Sequence, residues 1–470
     1  MKYDYDIITI GLGPAGMAIS IMGSEMGLKV CAIEKNKIGG ECMNVGCIPS
    51  KALLRIAKTR NSFSKFSAME LSEMSPPDVR KPFEKITRDI DYIGEKKTLK
   101  MFDKVDLLLR EGSASFVDKH TVMVGEKKLS AKRIFICAGT KASVPDFPGI
   151  DKIDYLTNEN IFSLDKIPAS LIIVGGGAIA CEMAQAFSRL GSKVTMVIRG
   201  PRLMWREDPD ASIVLQSALE KDGVAILKEQ KPTAFEKQDG FVVVTTSNND
   251  IIEAEKVLLA AGRVMDFEKM CLENAGVKYT KKGITVNKRL QTSSGNIYAC
   301  GDCNGHAPFS HAAMHQGMIA LMNSMSKWPV KFNFKNYVIP WTVFTEPQFS
   351  RVGMKESELK KKGIKYEVIT AKYEDYGAAI SENVDVGFVR ALTSLTGKIY
   401  GVTIIGEGSG EMINEWALAI QKKMRLFDIM MLQHSFPTMG FLTKRSSEMW
   451  MMNRMKPGAM KKLCRFMFRM

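Results

Sequence analysis

The motif GLGPAG at residues 11–16 follows an apolar run at residues 7–10 and precedes a helical pattern. A second apolar run at residues 29–33 ends in Glu34. Strand, glycine-rich turn, helix, second strand and acid at these spacings predict a βαβ unit that binds a dinucleotide. Its acid would bind ribose hydroxyls, and the glycines that allow a tight turn and close approach of a pyrophosphate are Gly11, Gly13 and Gly16.

A second motif, GGGAIA at residues 175–180, follows the apolar run at residues 171–174. The residues that would approach a second pyrophosphate are Gly175, Gly177 and Ala180. The next strand pattern, residues 193–198, ends without an acid and is followed by three arginines, Arg199, Arg202 and Arg206. Arginines pair with a 2′-phosphate, whereas an acid would repel it, so NADPH is favoured over NADH. The alternative is that some of these arginines are only solvent-exposed residues of a loop and do not bind a cofactor.

Three more apolar runs end in small-residue turns, and each could close a nucleotide-binding domain. The turn residues that we expect to contact a cofactor are Gly139, Thr140, Gly262 and Asp302. The predicted fold class is α/β, with two Rossmann-like dinucleotide-binding domains, the second inserted in the first, and a C-terminal α+β domain. The expected division is residues 1–148 and 270–332 for the first domain, 149–269 for the second and 333–470 for the third.

Two thiols, Cys42 and Cys47, lie in the run GGECMNVGCIPSK at residues 39–51. They could close a small disulfide ring across one helical turn, directly after the first βαβ unit. Such a bond can open and reform without unfolding the chain, so it could relay two electrons beside a bound dinucleotide. The alternative is that the two cysteines form a purely structural disulfide or remain unreactive thiols.

Composition narrows the classes of function. The chain has 470 residues, nine cysteines and a net charge of +15. No zinc-finger spacing or RNA-binding signature accompanies the charge, so nucleic acid is not an expected partner. The single Cys300-Gly-Asp-Cys303 run is an incomplete zinc site, and no metal site is predicted. The first strand pattern begins almost at once and leaves no room for a signal peptide, which makes the cytoplasm the expected compartment.

These motifs resemble the flavin-dependent pyridine nucleotide-disulfide reductases, the family of dihydrolipoamide dehydrogenase, glutathione reductase and mercuric reductase. The resemblance implies FAD in the first site, NAD(P)H in the second and a homodimer built by the third domain. It implies that Glu34 binds the adenosine ribose and Asp302 the ribityl chain of FAD. It also implies that Cys47 contacts the flavin, that Cys42 is the exposed interchange thiol, and that Lys51 lies near the flavin and pairs with Glu182.

The C-terminal segment departs from the family pattern. Lipoamide and glutathione reductases carry a His-Pro segment with a following Glu, and this histidine, supplied by the partner subunit, is the acid/base for the dithiol. Here Phe436 precedes the proline, and Phe441 occupies the position of the acid. Neither can move a proton, so dithiol exchange is disfavoured. His434, two residues upstream, is a candidate replacement base.

Four functions stay open at this level. The first is an FAD enzyme that uses NADPH to reduce its own disulfide and then an unidentified small-molecule, metal-ion or disulfide acceptor. The second is an NAD-dependent dihydrolipoyl dehydrogenase, and the third is a metal-ion or quinone reductase similar to mercuric reductase, although the adjacent cysteine pair of that enzyme is missing. The fourth is a flavin-binding scaffold without turnover.

The last segment, residues 458–470, is a basic amphipathic pattern. In a helix, Lys461, Arg465 and Arg469 form one stripe opposite methionines and Leu463. Such a segment suits peripheral contact with an anionic membrane, which would be the inner face of the cytoplasmic membrane. Packing across a dimer interface is the alternative.

Overall fold

The computed structural model describes residues 2–325, 330–456 and 458–470. Within these residues the helices are α1 Pro14–Glu25, α2 Gly40–Asn44, α3 Cys47–Asn61, α4 Pro82–Asp91, α5 Ala178–Arg189, α6 Pro209–Lys221, α7 Ser310–Ser324, α8 Glu356–Lys361, α9 Gly377–Ser381, α10 Ser409–Gln421, α11 Leu426–Met431, α12 Phe441–Met455 and α13 Gly458–Arg469.

The strands are β1 Tyr5–Ile10, β2 Val30–Glu34, β3 Asp106–Leu109, β4 Ser115–Phe116, β5 Thr121–Val124, β6 Lys127–Ile136, β7 Lys141–Ala142, β8 Tyr155–Leu156, β9 Ser170–Val174, β10 Lys193–Val197, β11 Ala225–Leu227, β12 Pro232–Gln238, β13 Phe241–Thr246, β14 Ile251–Ala254, β15 Lys256–Leu259, β16 Arg263–Val264, β17 Tyr279–Thr280, β18 Gly283–Ile284, β19 Ile297–Ala299, β20 Trp341–Val343, β21 Gln348–Gly353, β22 Glu367–Lys372, β23 Phe388–Thr393 and β24 Ile399–Gly406.

The chain forms two compact units, each made of three sequence segments. The first contains Met1–Arg55, Val79–Pro168 and Lys256–Asn336. The second contains Ile56–Asp78, Ala169–Glu255 and Tyr337–Met470. The finer division into domains stays a prediction.

A parallel sheet of order β3-β2-β1-β6-β19 is the centre of the first unit. The last four residues of β1 are buried, which is typical of parallel strands covered on both faces. β6 is long enough to serve two sheets: its first half pairs antiparallel with β5, and its second half pairs parallel with β1. The carboxyl ends of β1, β6 and β19 therefore lie side by side, where a ligand binds in open α/β sheets.

The second unit contains three parallel strands in the order β11-β10-β9, with α5 connecting β9 to β10. An antiparallel meander, β12-β13-β14, follows in the chain. β9 and α5 repeat the strand–glycine turn–helix order of the first unit. Leu171, Ile172 and Ile173 are fully buried in the strand.

A five-stranded antiparallel sheet, β20-β21-β24-β23-β22, forms the C-terminal part of the second unit. α10 places Met412, Trp416 and Ala419 on one face, at the i, i+4, i+7 spacing of a helix that packs on a sheet. α12 adds Leu442 and Trp450 to the same hydrophobic core. None of the helices in residues 2–325, 330–456 and 458–470 combines the length and the apolar character that crossing a bilayer requires.

Candidate active site

The turn between β1 and α1 has the geometry that its glycines predict. Gly11 has φ +92°, and a Cβ there would lie 2.5 Å from the carbonyl oxygen of Cys137. A Cβ on Gly16 would lie 1.9 Å from the carbonyl oxygen of Gly11, so glycine is needed for the close packing of helix on turn. A Cβ on Gly13, by contrast, would meet nothing within 4 Å. The space over Gly13 is therefore open to a ligand.

Glu34 lies at the end of β2 and is 7% exposed. One carboxylate oxygen accepts the N–H of Leu12 at 2.8 Å, and the other accepts the N–H of Asn36 at 2.8 Å. These two bonds fix the carboxylate beside the glycine turn. Each oxygen retains acceptor capacity for a ribose hydroxyl.

A polar cluster surrounds Asp302, which follows β19. Thr140 Oγ1 donates to Asp302 Oδ2 at 3.4 Å, and the Arg263 guanidinium donates to Thr140 Oγ1 at 2.6 Å. Arg263 also forms an ion pair with Glu41 in α2. Burial raises the pKa of Asp302, and the Arg263 charge opposes that rise. Arg263 was missed by the sequence analysis, although its position directly after Gly262 could have drawn attention to it.

These residues fit FAD. Gly13 precedes α1 as its N-cap residue and has no side chain to cap the helix, so the first N–H groups of α1 are available for a pyrophosphate over the open glycine. Glu34 would hold the adenosine ribose, and Asp302 would accept hydrogen bonds from ribityl hydroxyls. Gly139, with φ +67° and nothing within 4 Å of an added Cβ, leaves further room on this edge of the sheet.

The two thiols lie on different helices, which corrects the expectation of a single helical turn. Cys42 is in α2, which ends at Asn44, and Cys47 is the first residue of α3. A Cβ at Gly46 would lie 2.8 Å from the carbonyl oxygen of Glu41, so the chain reverses tightly between the helices. Both thiols are half-buried and not joined by a disulfide.

A hydrogen bond joins the Cys42 and Cys47 thiols, and this bond together with burial raises the pKa of Cys42. Ser310, the first residue of α7, places its Oγ 3.3 Å from Cys47 Sγ. Its hydroxyl also bonds Cys42 and lowers the pKa of that thiol. No sequence signal indicates Ser310, because it lies 263 residues from Cys47 and only tertiary packing brings it there.

Lys51 is one turn after Cys47 in α3, and its Nζ lies 3.4 Å from Ser50 Oγ. Glu182, in the second unit, is 4% exposed, and one of its oxygens accepts the backbone N–H of Phe344 at 3.0 Å. The pairing of Lys51 with Glu182 stays a prediction.

The second glycine motif repeats the conformation of the first. Gly177 precedes α5 with φ −89° and ψ −175°, and Gly13 precedes α1 with φ −68° and ψ −175°. Neither helix has a side-chain cap, and an added Cβ at Gly177 also meets nothing within 4 Å. Gly175 has φ +137°, and Ala180 is fully buried. This turn can therefore accommodate a second pyrophosphate.

The three arginines after β10 do not share one environment. Arg202 donates to the backbone carbonyl oxygens of Trp205 and Glu207, at 3.2 and 3.5 Å, so it holds the loop together. Arg206 lies over the exposed Trp205 ring, 5.3 Å from its centroid. Arg199 is exposed at the end of the strand, where a 2′-phosphate would be expected.

The C-terminal segment places Phe436 at the surface, 72% exposed, in edge contact with the Phe441 ring. The His434 side chain is only 7% exposed. Its Nε2 lies 3.0 Å from a Glu415 oxygen, and its Nδ1 lies 3.3 Å from the carbonyl oxygen of Leu432. With both ring nitrogens engaged, His434 has the contacts of a structural residue.

Cys300 and Cys303 are fully buried beside the sheet, 1% and 0% exposed. Among the described residues, no three His, Cys, Asp or Glu side chains converge as a metal site.

Comparison with known proteins places these features in a family. The family model described as pyridine nucleotide-disulphide oxidoreductase matches residues 5–317, and the model of its dimerisation domain matches residues 339–445. The second match indicates a homodimer. The predicted family and fold class are both confirmed.

Individual relatives extend over nearly the whole chain. Mercuric reductase of Staphylococcus aureus is 30% identical over 433 residues, 91% of this chain and 79% of the relative. Dihydrolipoyl dehydrogenase of Thermus scotoductus is 32% identical over 450 residues, 93% of this chain and 95% of the relative.

Solved structures give the same answer. The HOCl-induced flavoprotein disulfide reductase RclA of Escherichia coli superposes with a TM-score of 0.85 at 25% identity, covering 95% of this chain and 99% of RclA. Its Cu(II) complex also has a TM-score of 0.85 at 25% identity, covering 96% of this chain and 100% of that one. This chain therefore belongs to the pyridine nucleotide-disulphide oxidoreductases and is a flavoprotein enzyme of that family.

Proposed function

We propose that the enzyme uses NADPH and FAD to reduce the Cys42–Cys47 disulfide, and that the resulting dithiol delivers electrons to a thiophilic metal ion. The observation that carries the proposal is a pair of hydrogen-bonded thiols in a protein whose C-terminal segment has phenylalanine at both expected acid/base positions. Bound FAD would supply hydride acceptance from the nicotinamide and two-electron transfer to the disulfide.

The two thiols would take part in both halves of the reaction. Opening the disulfide takes up two electrons and gives two thiolates, and two protons make the free dithiol. Ser310 supports a thiolate by hydrogen bonding, and it contacts both sulfurs. Lys51, one turn along α3, would add a positive charge near the flavin when the cofactor is bound.

The missing acid favours a metal ion over a disulfide as the acceptor. A disulfide acceptor releases a thiolate that must be protonated, and Phe436 and Phe441 cannot supply that proton. Two thiolates bind a soft metal ion without such a step. Re-forming the Cys42–Cys47 disulfide from two thiolates would give up two electrons, which reduce one Hg²⁺ to Hg⁰ or two Cu²⁺ to Cu⁺. The mercuric reductase relative and the Cu(II) complex of RclA support ions of this class.

The preference for NADPH rests on the loop after β10. No acid follows this strand, and Arg199 is exposed at its end. Arg202 is engaged with the loop backbone, so the 2′-phosphate would be bound mainly by Arg199 and Arg206.

Dihydrolipoyl dehydrogenase is the second candidate. The Thermus relative favours it, and the His434–Glu415 contact at 3.0 Å could represent a displaced acid/base pair. The burial of His434 opposes it, because a base must reach the proton that it moves.

Steady-state oxidation of NADPH and NADH by the purified enzyme would separate these functions. The acceptors would be lipoamide, glutathione disulfide, coenzyme A disulfide, Hg²⁺, Cu²⁺ and a soluble quinone. Metal-dependent NADPH oxidation that is lost in Cys42→Ser and Cys47→Ser supports the proposal. Rapid lipoamide turnover that falls at least tenfold in His434→Gln would establish the second candidate, and quinone turnover unaffected by both serine variants would overturn the relay.

A further inference from the structure

The last helix, α13, divides charge from apolar surface. At 100° per residue, Lys461, Lys462, Arg465 and Arg469 occupy one arc of about 100°. The opposite arc holds Met460, Leu463, Cys464, Phe466, Met467 and Met470. Residues 449–470 contain six Lys and Arg residues and no Asp or Glu. α13 is therefore a strongly basic amphipathic helix.

The apolar arc of α13 is not buried by the described part of the chain. Every side chain described in α13 is exposed, including Phe466 at 62% and Met467 at 67%. Phe468, at the border of the two arcs, is 94% exposed. Leaving such side chains in water is unfavourable relative to burial, so the helix gains by inserting them into an apolar medium.

A methionine-lined groove lies next to this helix. It has a volume of about 460 Å³, and its lining residues are Met430 of α11, Glu448, Met451, Met452 and Met455 of α12, Lys456, and Lys461 of α13. Met452 and Met455 are 49% and 46% exposed. The groove extends the exposed apolar surface beyond α13, with a lysine at its edge.

We propose that α13 docks on the surface of a membrane that contains anionic lipids. The apolar arc would enter the boundary between headgroups and acyl chains, and the basic arc would face the phosphates. Charge complementarity favours this occupant over the α13 of a second copy, because both helices would carry the same basic arc. The apolar arc favours a lipid surface over nucleic acid, which would need only the basic arc.

Vesicle flotation of the FAD-loaded enzyme tests this proposal. The full chain and a chain ending at Lys456 would be compared on phosphatidylcholine vesicles with and without 30% phosphatidylglycerol. We expect the full chain to float with the anionic vesicles and the shortened chain to stay in solution. Since each basic side chain contributes on the order of fivefold near an anionic surface, neutral vesicles should bind at least about 50-fold more weakly.

Matched variants separate charge from apolar contact. Changing Lys461, Lys462, Arg465 and Arg469 together to Gln should weaken binding at least tenfold. The same change at four exposed lysines elsewhere, Lys281, Lys282, Lys361 and Lys362, should leave it unchanged. Phe466→Ser with Phe468→Ser should also weaken it while NADPH oxidation in solution stays the same.

Equal flotation of the full and shortened chains would overturn the proposal. So would a full chain that stays in solution while the shortened chain falls from dimer to monomer in light scattering, because the helix would then belong to the interface between two copies. NADPH oxidation by the shortened chain is a separate readout, so failure of membrane docking is distinguishable from failure of the proposed electron relay.

Discussion

Ser310 is a single hydroxyl placed between two thiols, and its removal should be visible in their titration. Because the hydroxyl lowers the pKa of Cys42, Ser310→Ala should raise that pKa further. Loss of a hydrogen bond of about 1 kcal/mol should lower the thiolate fraction at a given pH about fivefold. The rate of iodoacetamide labelling at Cys42 in the reduced enzyme, read by mass spectrometry at one fixed pH, should therefore fall by about that factor. Ser310→Thr should restore the rate, and an unchanged rate in the alanine variant would contradict the contact.

Arg199 provides a second test at a single position. Arg199→Glu should lower kcat/KM for NADPH at least about tenfold and leave kcat/KM for NADH within about threefold, because an acid repels the 2′-phosphate and can bind a ribose hydroxyl. Arg80→Glu makes the same change of charge at another exposed site and serves as the control. Equal losses with both nucleotides would show that Arg199 does not select between them.

The glycine turn before α1 contains two glycines needed for different reasons. Gly16→Ala would place a Cβ 1.9 Å from the Gly11 carbonyl, so we expect a large loss of stability, about 3 kcal/mol or more. Gly13→Ala meets no protein atom and has an allowed φ of −68°, so the apoprotein should melt within about 2 °C of the wild type. The same variant should retain less flavin after gel filtration. Full flavin retention in Gly13→Ala would argue against the cofactor approaching this turn.

A cluster of charges links elements within the second unit. Burial alone would raise the pKa of Glu346, but Arg189, Lys58 and Lys65 lower it from 4.5 to about 2. Lys58 and Lys65 each lie 3.2 Å from a Glu346 oxygen, and Arg189 is ion-paired with the other oxygen. A lowered carboxyl pKa stabilises the fold above pH 4.5, and this contribution is lost as pH falls toward 2.

Glu346→Gln should therefore lower the free energy of unfolding by on the order of 3 kcal/mol at pH 7. Near pH 2.5 the variant and the wild type should differ by less than about 1 kcal/mol. Urea titrations at both pH values measure the difference. Glu374→Gln, in an exposed pair with Lys372, should have an effect below about 1 kcal/mol at either pH. A deficit in Glu346→Gln that does not change with pH would contradict the electrostatic explanation.

The C-terminal phenylalanines bear on the assembled dimer. In lipoamide and glutathione reductases the partner subunit supplies the histidine of this segment to the dithiol site. Phe436→His with Phe441→Glu should introduce lipoamide or glutathione disulfide reduction at least about tenfold above the wild-type rate, because a proton donor becomes available. Phe436→Gln with Phe441→Gln is the matched control without a proton donor. Equal rates in both double variants would show that the missing acid is not what limits disulfide acceptors.

The fold and both nucleotide turns could be predicted from the sequence because each depends on a local pattern. Gly11, Gly13 and Gly16 follow a fixed spacing between a strand and a helix that can be read from the chain, although the contact that requires glycine at position 11 is with the distant Cys137. The apolar runs identify buried strands. The fold class was confirmed, which shows that such local patterns are sufficient to predict it.

Other features depend on packing between distant segments. Ser310 reaches Cys47 across 263 residues, and Arg263 reaches Glu41 through the closure of the sheet edge. The sequence also cannot show that Arg202 is engaged by its own loop or that His434 is buried against Glu415. These contacts decide which of several plausible side chains remain available for chemistry.

Cys464 has a practical consequence for studying the enzyme. All nine cysteines lie in the described part of the chain, and Cys464 is the exposed one among them. With Cys42 and Cys47 held as a disulfide, a maleimide dye should attach selectively at this position. The native chain thus offers a fluorescent reporter on its final helix, which would allow movement of that helix to be followed in real time without engineered labelling sites.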